Sequence, residues 1–539
     1  MTSGSSTEER AAAFHDDEQT LHRLGYAQEL FRAMGGFQNF AISFTIISIL
    51  AGCLTSYYIA FQWGGPVAVT WGWLLVGSFC IIVSLAMGEV ASTFPTAGGL
   101  YYWASKLGSP AWGWFTGWFN LVGQIAVTAA IGYGLAIFAT SLLDLLFNYP
   151  NTSKWIFVTY TVVMAIAVLV NMFRVSITAA LNTISAWWHM AGVLVVVAIL
   201  LIVPDNHQSL GYVFGKTINN SGFSGTNFHH LMFFYVFGIG LLMAQYTITG
   251  FDASAHLAEE TNGASRMAAI GMIMSVVVSV VFGFLLLLAV TFAIPDTQGV
   301  IDAGGYAVTY IWQTSMGTRW AEFLLFIAVL AQMFCLTASV TSASRMMFAF
   351  SRDGAVPGHR IWRRISGERV PLYAVIAIGV LSWLLMVPTL WNAVVGYLVG
   401  TSIAVIGLYI AFAIPVYLRW RAGNRFERGA WHLGEHYRWI DPLAIGWIAL
   451  ICLLFILPIA PAGVPWDKAF DWNVVNYAPL TVGGAFLLFG GWYALSAKRW
   501  FKGPVRQGTE EELERIEAQY GARSSAEAAF AGGAHEPTP

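Results

Sequence analysis

The chain has 539 residues, 57% of them hydrophobic and only 10% charged, with a formal net charge of −2. So few charges cannot clothe a soluble globule of this size, and lipid must cover much of the surface. The charge balance gives no basic field for nucleic acid, and no Lys/Arg stripe with interleaved aromatics occurs outside short connecting loops, so nucleic-acid partners are set aside.

Residues 1–36 are polar and mixed in charge, with no apolar core before a small-residue cleavage site. They read as a retained amino-terminal tail and not as a secretory signal. A bilayer core needs roughly 20 apolar residues per helical crossing. Apolar windows between polar or Pro/Gly breaks predict twelve spans near 37–61, 66–91, 111–142, 154–172, 183–203, 231–257, 268–294, 320–348, 371–388, 392–418, 442–460 and 477–498. The segment 499–539 is charged and then Ala/Gly/Ser-rich, which suits a short helix followed by a disordered tail.

An even number of spans places both ends on one side. Of the 27 Lys and Arg, all but Lys154, Lys216, Arg319 and Lys468 then fall on the side of the tails. That bias predicts a multi-pass protein of the plasma (inner) membrane with both termini cytoplasmic. Cys53, Cys80, Cys335 and Cys452 lie inside apolar runs with no CxxC spacing, and read as buried thiols without a metal.

Two spans carry polar and glycine interruptions, Ser48-Ile49-Leu50-Ala51-Gly52-Cys53-Leu54-Thr55 in the first and Thr247-Ile248-Thr249-Gly250-Phe251-Asp252-Ala253-Ser254 in the sixth. Their separation by five spans is the pattern of two inverted five-helix repeats, 37–203 and 231–418, followed by two extra helices in 442–498. Unwound backbone survives at bilayer depth only where protein buries it or a wet cavity needs it. Half-helix amides and carbonyls facing such a cavity can hold a zwitterion without a charged side chain. Glycine in a membrane helix otherwise marks close packing, the reading given to Gly65, Gly72 and Gly491.

Several longer motifs, in order, resemble the amino acid-polyamine-organocation superfamily, and within it the amino acid/choline transporters that include GABA permeases. They are Leu24-Gly25-Tyr26, Phe40-Ala41-Ile42-Ser43-Phe44, the run from Gly88-Glu89-Val90 through Phe94-Pro95-Thr96-Ala97-Gly98-Gly99 to Trp103, Gly250-Phe251-Asp252-Ala253-Ser254-Ala255-His256, Glu259-Glu260-Thr261 and Ser351-Arg352-Asp353-Gly354-Ala355-Val356-Pro357. The resemblance spans roughly Leu24 to Leu495. It implies an all-α membrane protein of the leucine-transporter fold, alternating access, and secondary transport usually driven by protons.

By that resemblance, amides around Ala51, Gly52 and Cys53 take a substrate carboxylate, and carbonyls near Ile248, Thr249 and Gly250 take its ammonium group. Phe251 closes over the substrate. The superfamily's frequent small-Ser-Gly run at the first break reads Ala51-Gly52-Cys53 here.

Ionisable groups at membrane depth cost at least about 2.5 kcal/mol on insertion scales, so each needs a reason. They are Glu89, Asp252, Glu322, His189 and His256, with Asp144 near a span end. His189 sits where some superfamily members carry a lysine facing the first break; it reads either as a proton-coupling group or as a neutral histidine bonded within the bundle. Glu89 reads as an organiser of the cytoplasmic gate or the partner of a nearby Arg or Lys. Asp252 reads as a cap for the second half of the broken helix before direct ligation of an amine. Asn120, Gln124, Gln332 and Thr337 read as interhelical glue before cavity lining.

No HExxH, GxSxG or phosphate-cradling loop stands out, so a membrane enzyme, a resident cofactor and a metal site are not expected. The partners expected are a small amine-bearing solute such as an amino acid or GABA, protons and lipid. Import of a polyamine or choline, amino acid exchange, and a transporter-like nutrient sensor stand as alternatives. A dication would require carboxylates in the cavity.

Overall fold

The computed structural model describes residues 7–173, 175–223 and 229–518. The tail beyond 518, expected to be disordered, lies outside the described residues. Eleven described helices are long and apolar enough to cross a membrane. The remaining crossing is the interrupted sixth span, whose apolar part is the shorter Met232–Thr247. The protein is an all-α membrane protein of twelve spans.

In chain order the elements that build the bundle are α1 (Gly36–Ile47) and α2 (Ile49–Thr55), which together form the first span, α3 (Pro66–Thr93), α4 (Gly99–Leu107), α5 (Pro110–Phe147), α6 (Ser153–Asn171) and α7 (Val175–Ile202). The sixth span consists of α8 (His229–Gly240), α9 (Leu242–Thr247) and α10 (Ala253–His256). There follow α11 (Ala264–Phe292), α12 (Thr318–Arg352), α13 (Leu372–Leu385), α14 (Ala393–Ala422), α15 (Tyr437–Phe455) and α16 (Ala478–Trp492). Pro66 and Pro110 sit at helix starts, where the missing N–H has no partner to lose. Asn148 ends α5 in the left-handed region at φ 53°.

The apolar window of α5 is 83% buried and that of Gly396–Arg425 is 78% buried, whereas the window of Ala478–Trp500 is 6% buried. α5 and α14 are therefore interior helices, as is the first span at 83% buried, and α16 lies on the outside of the bundle. Glycine allows the interior pair to touch: a Cβ on Gly407 would stand 3.2 Å from the Gly123 Cα. Of the glycines expected to mark packing, Gly72 does, since a Cβ there would lie 3.0 Å from Leu241 Cδ2. Gly65 does as well, since a Cβ there would lie 2.7 Å from the Ile218 amide nitrogen, and its φ of +72° also turns the chain before Pro66. Gly491 departs from the packing expectation, with nothing within 4 Å of a Cβ there.

The two ends of the chain meet on one face. The Gln507 amide donates to the Gly25 carbonyl at 2.9 Å, the Ala27 amide donates to Gln507 Oε1 at 2.7 Å, and His22 pairs with Glu517 at 2.8 Å. Below, this is the termini face.

Candidate functional site

Both predicted interruptions are present, at narrower positions than the sequence suggested. Within the predicted interruption the first span breaks at Ser48, whose φ of 36° and ψ of 79° end α1 and begin α2, and a second turn at Ser56 ends α2. Gly52 lies inside a helical turn, and the amides of Ala51 and Gly52 donate to the Ser48 carbonyl at 2.7 and 2.9 Å. A carboxylate at these amides must share or displace those bonds. The second break covers 248–252, with Gly250 at φ +98°. That conformation is open to glycine and strained for any other residue.

The breaks face each other. A Cβ on Gly52 would lie 2.5 to 2.8 Å from three side-chain atoms of Thr247, and one on Gly250 would lie 2.3 Å from Ile46 Cγ2. Between them is a cavity lined by Ile46, Ile47, Ala51, Gly52, Thr55, Val127, Ile131, Tyr246, Thr247, Thr249, Gln332 and Cys335. Its volume of about 10 Å³ holds about one water. An amino acid enters only if the surrounding helices move apart.

Of the residues expected to bind substrate, Ala51, Gly52 and Thr249 line this cavity, and Cys53, Ile248, Gly250 and Phe251 do not. The Ile248 carbonyl accepts from Tyr409 Oη at 3.0 Å, and the Gly250 carbonyl from the Ala253 amide at 3.2 Å. The Phe251 ring is buried against Phe412, with centroids 5.1 Å apart, and its carbonyl accepts from Ser43 Oγ at 2.8 Å.

Gln332 and Cys335 are residues the sequence reading did not place in the site. They sit one turn apart on α12. Gln332 Nε2 donates to the Leu50 carbonyl at 3.3 Å, Cys335 Sγ to the Ile46 carbonyl at 3.2 Å, and Gln332 Oε1, buried, has no protein partner. The pairing of an amide and a thiol at i, i+3 in an apolar span was the available signal.

His189 reaches the first break. Its Nε2 is 2.7 Å from Ser48 Oγ and its Nδ1 is 2.8 Å from the Ser185 carbonyl. A carbonyl only accepts, so Nδ1 carries a proton, and Nε2 accepts from Ser48 when the ring is neutral or donates to it when charged.

Asp252 does not cap α10 with its side chain. Its backbone is helical there, and its carboxylate turns to α5: Gln124 Nε2 donates to Oδ2 at 2.9 Å and Asn120 Nδ2 at 3.5 Å. His256 Nε2 lies 3.3 Å from the same oxygen, and its Nδ1 donates to the Ala97 carbonyl at 3.1 Å.

The layer between the cavity and the termini face is filled by ion pairs. Glu259 takes Arg352 at 2.9 and 3.1 Å and the Ala97 amide at 3.0 Å, and Arg352 lies 3.8 Å over the Tyr26 ring. Glu260 takes Arg345 at 2.7 Å. Asp353 accepts from the Tyr26 hydroxyl at 2.7 Å, the Tyr101 hydroxyl and the Val505 amide; burial pushes its carboxyl up, against the Arg352 charge. Glu89, expected to organise a gate or pair with a base, bonds Arg419 at 2.8 Å and the Leu433 amide at 3.1 Å. Glu322, near the start of α12, and the four cysteines, all free thiols, take no part in this layer.

Residues 34–486 match the amino acid permease family. The chain is 37% identical over 507 residues to the amino-acid permease BAT1 homolog of Oryza sativa subsp. japonica, covering 90% of this chain and 95% of that one. It is 36% identical to amino-acid permease BAT1 of Arabidopsis thaliana, with the same coverage. It is 29% identical to the GABA-specific permease of Saccharomyces cerevisiae, covering 93% of this chain and 88% of the relative.

Proposed function

We propose, from the premise that this chain belongs to the amino acid permease family, that it is a secondary active transporter importing an amino acid or GABA by alternating access, coupled to protons. The membrane is the plasma membrane, the termini face is cytoplasmic, and 37–203 and 231–418 act as inverted repeats about the central cavity. Ala51, Gly52, Cys53, Ile248, Thr249, Gly250 and Phe251 bind the solute; His189, Glu89 and Asp252 serve coupling or gating.

The observation that carries this reading is the composition of the cavity wall. Its polar lining residues are Thr55, Tyr246, Thr247, Thr249, Gln332 and Cys335, with no charged side chain among them. A zwitterion suits such a wall, since two helix breaks supply partial charges of both signs. A polyamine would leave its charges unmatched in a low dielectric.

The test is uptake by purified protein in liposomes, with labelled amino acids, GABA, putrescine and choline, with and without an inward proton gradient. Gradient-driven accumulation of one amino acid, or of GABA, is expected. Flux only against internal substrate would replace symport by exchange, putrescine or choline uptake would replace the solute class, and binding without flux would indicate a sensor. His189→Ala is expected to keep exchange and lose gradient-driven accumulation, because Ser48 at the break loses its titratable partner. Unchanged accumulation would remove His189 from coupling.

A further inference from the structure

Of the six arginines between Arg345 and Arg369, five fall into two groups with different surroundings. Arg345 and Arg352 are buried against Glu260 and Glu259. Arg360, Arg363 and Arg364 are exposed and line one cavity of about 700 Å³, together with Ser366, Leu372 and Tyr373. No carboxylate lines it.

The other basic loop is different. There Arg419 bonds Glu89, and both Arg428 and Arg438 reach Glu435. Topology accounts for arginine on this face of the membrane, but not for three converging on a cavity without acid. Glu29 is within electrostatic reach of Arg363, yet its carboxylate is held by Gln507 Nε2 at 2.8 Å.

The position of the cavity identifies its surroundings. Tyr373 is the second residue of α13, and Tyr373, Ile376 and Val380 are exposed at i, i+3 and i+7 along one side of that membrane-spanning helix. An exposed apolar row on a helix of membrane-spanning length is suited to lipid, and Ile361, next in sequence to Arg360, is exposed too. The cavity thus joins a cationic floor to an apolar wall at the depth of the headgroups.

We infer that this cavity binds the phosphate of an anionic phospholipid in the leaflet on the termini face. Guanidinium groups present paired donors that match phosphate oxygens. The Ser366 hydroxyl accepts from the Val370 amide at 3.3 Å, so its own proton remains to donate to a phosphate oxygen. Basic pockets beside membrane helices hold such headgroups for these reasons. The loop begins at Arg352 and Asp353, so a bound lipid would fix the end of α12 next to the ion-pair layer.

The experiment uses the full chain purified in neutral detergent and presented with phosphatidylglycerol, phosphatidylcholine or inorganic phosphate. Bound lipid is counted by native mass spectrometry and the melting temperature is recorded. Phosphatidylglycerol is expected to be retained and to raise the melting temperature, with no effect of phosphate or phosphatidylcholine. R360Q/R363Q/R364Q is expected to retain at least about tenfold less, and R428Q/R438Q as much as the unaltered chain. If the triple variant does not fold, R360Q and R364Q singly should each lower retention. Equal retention by the triple variant, equal loss in both multiple variants, or equal protection by inorganic phosphate would overturn the assignment.

Discussion

Gly250→Leu is expected to reduce uptake in liposomes to background, a loss of at least about 100-fold, equivalent to about 2.7 kcal/mol, in a protein that still purifies as a single species. Two independent effects combine at this residue. Its φ of +98° is strained for any side chain, and even a Cβ would lie 2.3 Å from Ile46 Cγ2, which packs directly against it. The strain falls on the unwound segment assigned to the proposed binding site, while the helices around it keep their packing. Gly250→Ala should show most of the loss. Retention of more than half the uptake by Gly250→Ala would mean that transport does not depend on this break.

Glu259→Gln is expected to lower the melting temperature and to cut uptake at least about tenfold. Removing one member of a buried pair typically costs 3–5 kcal/mol because the other charge is left unmatched. Here the charge that loses its bonded partner is Arg352, enclosed by Tyr26 and Phe348 with side-chain exposure of 5%, leaving Glu29 and Asp353 within electrostatic reach but not bonded to it. The pair bolts α12 to the segment after α10, so its loss favours states open on the termini face. In E259L/R352M both charges are gone, and the melting temperature should return toward that of the unaltered chain. A melting temperature unchanged in Glu259→Gln would show that the pair does not hold the layer closed.

These two residues also show how far the sequence could be read. The spans were legible because hydropathy reports lipid contact directly, and each helix falls close to its predicted window. The sixth span was legible as broken because Gly250 combines with Thr249 and Asp252 in an otherwise apolar run.

The site was less legible. Gly52 suggested the first break, yet the chain breaks at Ser48, where His189 grips the hydroxyl from α7. A residue in the left-handed region with a partner 141 positions away leaves no local signature. Asp252 obeyed a local rule for caps in the sequence, but Gln124 and Asn120 on α5 turned its carboxylate elsewhere. Tertiary partners decided both cases.

The motifs that carried the family resemblance prove to be matched halves of single contacts. Glu259 and Glu260 belong with Arg352 and Arg345, and the Ala97 backbone takes both Glu259 and His256. Sequence order showed them as separate runs, and only folding joins them into a layer.

The most direct test of the central claim uses Cys335, which lines the cavity, with the other three cysteines changed to Ala. In liposomes, the rate at which a small thiol reagent modifies Cys335 is measured with and without a saturating transported amino acid. Substrate between the two breaks should slow modification at least about tenfold, since it would occupy the space through which the reagent reaches the thiol. An unchanged rate under conditions of full uptake would contradict the account and place the solute elsewhere.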